Sequence, residues 1–250
     1  CMERPGGPLR HPRSERDLGQ LLRSLRQRGI GTVSFDGGEA SLSPLLLPGI
    51  RMARSLGFVH VQLVTNGVRL ASRAFVRSLT DAGLDRVNLS LHAVDSATSR
   101  AIYGADVYPR QRRALEELRL ADPPLGLTMA TVLVATNRAS LGAILETAAA
   151  QRPEHMALIY CLPAHYGGHI ANVALADLED GEVLQVLEAF QEARPAQTLE
   201  LRHFPFCQLP ERLRPFVRAR GQRAASGPPQ RLLTALKPSN RRLCRGCARR

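Results

Sequence analysis

Tryptophan is absent from the 250-residue chain, and phenylalanine with tyrosine brings the aromatic content to only 4%. That leaves few platforms on which unpaired bases could stack. Long apolar runs are missing too: stretches such as Leu45-Leu46-Leu47 fall far short of a membrane span. No basic segment followed by an apolar stretch opens the sequence, so a soluble, cytoplasmic protein with no membrane partner is expected. Lysine is almost absent, Lys237 being the only one among 34 basic residues. Five cysteines is a modest count, and a cytoplasmic chain keeps them reduced, so their spacing is read for metal or catalysis before disulfides.

What is present can build a core. Hydrophobic residues make up 44% of the chain and charged residues 22%, a globular composition. The net charge of +12 is unevenly placed. Residues 1–28 hold seven basic and three acidic groups, and residues 29–201 hold fourteen and eighteen. Residues 202–250 hold thirteen and one, so the last segment alone equals the whole excess. Such a tail suits nucleic acid or another polyanion, or it is a solvated, arginine-rich surface.

Strand-like and helix-like segments alternate. Ser14 and Asp17 open a helix carrying Leu18, Leu21, Leu22 and Leu25 at helical spacing, and Gly29 ends it. Strands are expected at Thr32–Phe35, Val59–Thr65, Arg86–Leu91, Leu125–Ala135, His155–Leu162 and Thr198–His203. Helices are expected at Pro44–Leu56, Ala71–Ala82, through about Ala121, Ser140–Gln151 and Glu179–Ala193. Parallel neighbours need a crossover helix, so this alternation implies an α/β fold with a parallel sheet. The clearest strands read as apolar on both faces (Val61, Leu63, Val64; Val87, Leu89, Leu91). An open doubly wound sheet and a barrel fit equally well, and both bind ligands at the C-terminal ends of strands.

Those ends carry polar and flexible residues in order. The first strand leads into Asp36-Gly37-Gly38-Glu39, the second into Thr65-Asn66-Gly67, the third into Ser90-Leu91-His92-Ala93 and the fourth into Thr136-Asn137. Paired glycines let backbone approach a ligand closely, and a following carboxylate suits an ammonium group. His92 reads as a packing residue.

The ordered set Phe35-Asp36-Gly37-Gly38-Glu39, Leu63-Val64-Thr65-Asn66-Gly67 and Gly83 to Ala93 resembles the radical S-adenosylmethionine (radical SAM) enzymes, over roughly two-thirds of the chain. The resemblance implies a partial (β/α)6 barrel and an enzyme that cleaves S-adenosylmethionine (SAM) reductively at a [4Fe–4S] cluster. The product is a 5′-deoxyadenosyl radical that abstracts hydrogen from a peptide or small-molecule substrate, with flavodoxin or ferredoxin as the kind of external electron donor. It assigns Gly37, Gly38 and Glu39 to the methionine amino group of SAM, and Ser90, Asn137 and Asn66 to the same cavity, where Asn66 either faces the cofactor or only shapes its turn. Ala40 stands where the family often has proline. The family's C-x-x-x-C-x-x-C motif binds the cluster, and only Cys1 matches a position in it. The barrel's first strand and two further cysteines are therefore expected upstream of Cys1, and this polypeptide alone is expected to be inactive.

Cys244-x-x-Cys247 has chelate spacing, and Cys207 follows the last strand. Residues 1–200 are expected to form the radical SAM core, and residues 201–250 a basic metal-binding segment holding Cys207, Cys244 and Cys247. An auxiliary [4Fe–4S] cluster is favoured there over zinc. Two other functions remain open: a radical SAM enzyme acting on RNA, and a non-catalytic zinc-binding α/β scaffold with a basic interaction tail.

Overall fold

A computed structural model describes residues 12–160, 181–204 and 208–217. The element order is α1 (Glu15–Gln27), β1 (Thr32–Phe35), α2 (Leu46–Ser55), β2 (His60–Thr65), α3 (Arg73–Ala82), β3 (Arg86–Ser90), α4 (Ser96–Tyr103), α5 (Tyr108–Arg119), β4 (Gly126–Leu133), α6 (Leu141–Ala149), β5 (His155–Tyr160), α7 (Glu182–Ala193) and β6 (Leu199–Arg202). The Ser14 hydroxyl caps α1 by accepting from the Asp17 amide at 3.1 Å. Leu18 and Leu22 are buried on its inner face, and Gly29 takes a φ of 76° as the chain turns into β1. Among the described residues no helix is long and apolar enough to cross a membrane.

The six strands are parallel and lie in the order β1-β2-β3-β4-β5-β6. This decides between the two architectures. A doubly wound sheet reverses its strand order at a switch point, and this sheet does not. Right-handed crossovers in unbroken sequential order stack every helix on one face. The sheet then curls around its helix-free face, giving a partial barrel.

Burial follows the same division. In β2, Val61, Leu63 and Thr65 are buried while His60, Gln62 and Val64 are half-buried. In β3, Val87 and Leu89 are buried while Arg86, Asn88 and Ser90 are half-buried. The strands are therefore not apolar on both faces, as their sequences suggest. One face packs against the helices through Ile50, Leu79, Leu115, Leu145 and Leu187, and the other carries Gln62, Asn88 and Ser90 on these strands.

The opposite, N-terminal end of the strands is tied shut. Asp85 accepts from the Val61 amide at 2.8 Å and lies 3.1 Å from Arg54 and 3.2 Å from His60. Core packing also runs past residue 200. β6 pairs with β5, Leu209 and Leu213 are buried, and Val217 bridges Leu201. The compact unit thus extends to Val217, beyond the point where the composition turns basic.

A buried carboxylate with two exposed arginines joins α3 to α5. Glu117, only 2% exposed, accepts from Arg73 at 2.9 Å and from Arg113 at 2.6 Å. The Arg73 hydrogen bond, with the charge of both arginines, holds the Glu117 carboxyl below its ordinary range despite burial. A carboxyl with a depressed folded pKa stabilises the native state above its unfolded pKa of about 4.3, and that contribution fades as pH falls through the folded value. Glu117→Gln is therefore expected to melt below wild type at pH 7, with the gap closing towards pH 3. Melting curves across that range check it.

Candidate active site

At the C-terminal end of β1 the chain turns through Gly37 and Gly38, at φ 101° and 43°. Side chains are strained at both angles. A Cβ on Gly38 would meet nothing within 4 Å, so the loop borders open space rather than packed protein. Asp36 Oδ1 accepts from the Gly37 amide at 2.7 Å and helps set the turn.

Glu39 fixes this loop to the neighbouring strand. Its Oε1 accepts from the Thr65 hydroxyl at 2.6 Å and from the Ser41 amide at 3.1 Å, and its Oε2 accepts from the Asn66 amide at 2.8 Å. The carboxylate is thus a tether between the ends of β1 and β2 as well as a negative charge beside the glycines. Thr65 is the partner that sequence reading missed, although it sits inside the Thr65-Asn66-Gly67 turn.

Asn66 uses its Oδ1 on the Val68 amide at 2.9 Å, an Asx turn that shapes the end of β2. Its backbone meets two other elements: the amide donates to Glu39, and the carbonyl accepts from Gln111 Nε2 at 2.8 Å. Gly67 must be glycine here. Its φ is 82°, and a Cβ would run into the Leu89 side chain.

Ser90 ends β3 on the concave face and is half-buried. Its carbonyl accepts from Gln111 Nε2 at 2.9 Å and from the Tyr103 hydroxyl at 3.3 Å. Gln111, fully buried on α5, therefore holds the ends of β2 and β3 in fixed relation. It stands among arginines and glutamates in an amphipathic helix, and nothing in its local sequence marks it.

His92 is half-buried and stacks on Tyr103, with ring centroids 5.6 Å apart and planes 3° from parallel. Its Nδ1 lies 3.2 Å from the Val132 amide nitrogen and accepts its proton, which places the ring proton on Nε2. Burial lowers its pKa to about 4, so it is neutral at physiological pH. Its role as a packed residue agrees with this geometry.

Asn137 is wholly buried and does not open into the cleft. Its Nδ2 donates to the carbonyls of His92 and Val132, both at 2.9 Å, and its Oδ1 accepts from the Val134 amide at 2.9 Å. Three backbone bonds take up the amide, so it clamps the ends of β3 and β4 together beneath the rim. Thr131 adds a parallel tie, its hydroxyl donating to the Leu91 carbonyl at 2.7 Å.

Gly37, Gly38, Glu39, Asn66 and Ser90 thus converge on one end of a partial barrel, with an aligned glycine loop bordering open space. The sequence model described as the radical SAM superfamily matches residues 1–148, more than half of the chain. The chain belongs to the radical SAM superfamily. The fold also recurs in solved structures. SuiB of Streptococcus suis has a TM-score of 0.61 at 16% identity, covering 77% of this chain and 44% of SuiB. Native anSMEcpe with bound AdoMet and the Cp18Cys peptide has a TM-score of 0.58 at 16% identity, covering 73% of this chain and 54% of that one.

Among curated relatives, a probable GTP 3′,8-cyclase of Saccharolobus solfataricus is 38% identical over 97 residues, which are 39% of this chain and 31% of the relative. The corresponding protein of Methanopyrus kandleri is 43% identical over 100 residues, 40% of this chain and 30% of the relative. A 7,8-dihydro-6-hydroxymethylpterin dimethyltransferase of Methanocaldococcus jannaschii is 27% identical over 135 residues, 53% of this chain and 27% of the relative. The chain thus spans under a third of the length of these curated relatives.

Superfamily membership makes the chain one of a family of enzymes that use SAM and a [4Fe–4S] cluster. The glycine loop fits the SAM amino acid: its backbone borders open space, and a carboxylate stands beside it. All five cysteines, including Cys1, Cys207, Cys244 and Cys247, lie outside the described residues. Among the described residues no group of three or more His, Cys, Asp or Glu side chains could hold a metal.

Proposed function

We propose that this chain binds SAM across the C-terminal ends of β1–β3 and acts on a small molecule of the nucleotide class. The observation that carries the reading is the Glu39 tether, which holds the Gly37–Gly38 backbone rigid at a strand end facing open space. The relatives named as GTP 3′,8-cyclases favour a purine nucleotide over other small molecules. Cys1 is proposed as a cluster ligand, and Cys207, Cys244 and Cys247 as ligands of an auxiliary [4Fe–4S] cluster.

The chemistry that bound SAM would supply is one-electron cleavage to methionine and a 5′-deoxyadenosyl radical able to take hydrogen from a substrate. The protein's own residues orient and shield. Carbonyls of the glycine loop would accept from the ammonium group of SAM, and the Glu39 charge would favour that cation. Asn66 and Ser90 would flank it, their backbone positions held by Gln111. Neutral His92, stacked on Tyr103, closes the β3 end without placing a second cation there.

The test uses the complete protein, reconstituted anaerobically with iron and sulfide and supplied with a reductant and SAM. Release of 5′-deoxyadenosine is expected, and GTP is expected to accelerate it. Protein carrying its cluster that releases none overturns the reading.

A further inference from the structure

Between the N-terminal halves of α2 and α3 lies a groove of about 470 Å³. Ser43, Leu47, Arg69, Ala74, Phe75 and Ser78 are among the residues that line it. The two helices follow β1 and β2, so the groove opens at the same end of the barrel as the Gly37–Gly38 loop. It is separate from the residues proposed to hold SAM. None of Gly37, Gly38, Glu39, Asn66 and Ser90 lines it.

Arg69 is the charge that marks the groove. It lies in the 3-10 turn Val68–Ala71 after β2 and is exposed. Its guanidinium carbon sits 4.0 Å from the centroid of the Phe75 ring, and Nη1 donates to the Ser41 carbonyl. These two contacts fix the plane of the group and leave Nε and Nη2 without a partner among the described residues. Arg54, Arg73, Arg113 and Arg194 each meet a carboxylate. Arg69 meets none among the described residues, and no acidic side chain lines its groove. Arg51, one helical turn beyond Leu47 on α2, is exposed and equally unpaired among those residues. A guanidinium that is already fixed loses little freedom when an anion arrives.

The other walls are largely apolar. Leu47 and Phe75 are half-buried, and Leu42, between the lining residues Ser41 and Ser43, is 67% exposed. Arginine and aromatic side chains beside exposed apolar surface are what protein interfaces use as anchors. The charge is of one sign, so the partner surface that fits is acidic. The groove is small, and low-area contacts are typical of electron-transfer partners, which meet briefly and separate. Reductive cleavage of SAM needs such a partner, and it must approach the end of the barrel where SAM is proposed to bind.

We propose that the groove between α2 and α3 is the docking site of an acidic electron-transfer protein. A carboxylate of that protein meets Nε and Nη2 of Arg69, and its apolar neighbours cover Leu42, Leu47 and Phe75. Arg51 steers the approach. One electron leaves the reduced partner and enters the [4Fe–4S] cluster, with no bond made or broken. The inference rests on the SAM reading above and adds the surface through which the electron arrives.

Calorimetric titration of the full-length, cluster-loaded protein with oxidised flavodoxin and with oxidised ferredoxin reads docking without turnover. Release of 5′-deoxyadenosine is then driven either by the reduced carrier or by dithionite, which needs no docking. Arg69→Gln is expected to weaken carrier binding about tenfold, equivalent to one lost ionic hydrogen bond. Ala74→Glu places a carboxylate in the first turn of α3, where a helix favours one. It is expected to weaken binding about tenfold by repulsion and to leave the dithionite-driven rate unchanged. Arg51→Glu should weaken binding in a way that added salt screens. Arg119→Glu makes the same change of charge at the end of α5, beside the start of β4, and should bind as wild type does. Binding unchanged in Arg69→Gln and Ala74→Glu, or weakened as much by Arg119→Glu, overturns the groove and leaves the SAM reading intact. Wild type that binds neither carrier overturns it as well. Binding lost in the groove variants of a protein that releases no 5′-deoxyadenosine with dithionite supports the groove and overturns the SAM reading instead.

Discussion

Glu39→Ala is expected to lower SAM affinity by about tenfold to a hundredfold, read by calorimetric titration of the cluster-loaded protein. Hydrogen bonds to a charged acceptor contribute about 1.5–3 kcal/mol each, and this carboxylate accepts three. Not all of that loss reaches binding, because water can reach a half-buried loop and replace some partners. What binding loses is pre-organisation. Without the bonds to Thr65 and Asn66, the Gly37–Gly38 backbone must be ordered when the ligand arrives, and that entropy opposes affinity. Glu39→Gln separates geometry from charge. It keeps one carbonyl acceptor for Thr65 but has no second acceptor for the Asn66 amide, so an intermediate loss is expected. A normal SAM affinity in Glu39→Ala, together with a lowered melting temperature, would leave Glu39 a purely structural residue.

The second large effect is on stability. Gln111→Leu removes the donor shared by the Asn66 and Ser90 carbonyls, which lie 2.8 and 2.9 Å from Nε2. The Asn66 carbonyl is stranded and the Ser90 carbonyl keeps only the 3.3 Å bond from the Tyr103 hydroxyl, a cost of about 2–4 kcal/mol. For a chain of this size the melting temperature should fall by about 5–15 °C. The Gln111 Oε1 has no hydrogen-bond partner among the described residues, so leucine also removes an unsatisfied acceptor, which keeps the loss moderate. Gln111→Glu is expected to be worse than leucine, because a carboxylate would face two carbonyls with no proton to donate. Thermal melts of the three proteins decide it, and a leucine variant that melts with wild type sinks the clamp.

The strands and the loops that follow them were legible because each is marked locally: β-branched residues, then Gly-Gly, Asn-Gly or a polar alternation. Glu39, Asn66 and Ser90 could be placed at one end of the sheet on that basis. Their hydrogen-bond partners could not be read. The tether from Glu39 to Thr65 crosses 26 residues, and the clamp from Gln111 to Asn66 crosses 45. No spacing rule reaches that far. Val64 hid the polar face of β2, since an apolar residue between Leu63 and Thr65 makes a two-faced strand look buried throughout. Asn137 shows the converse error: a polar residue at a strand end was expected to face a ligand, and the backbone uses all of it. Nor does a basic composition mark the end of packing, since β6, Leu209 and Leu213 continue the core through a basic stretch.

Sequential strand order has a consequence for how the protein is made. Each strand pairs only with the strands next to it in the chain, so a polypeptide leaving the ribosome can dock every new strand–helix unit on the edge left by the one before. Contacts of this kind close without waiting for distant partners.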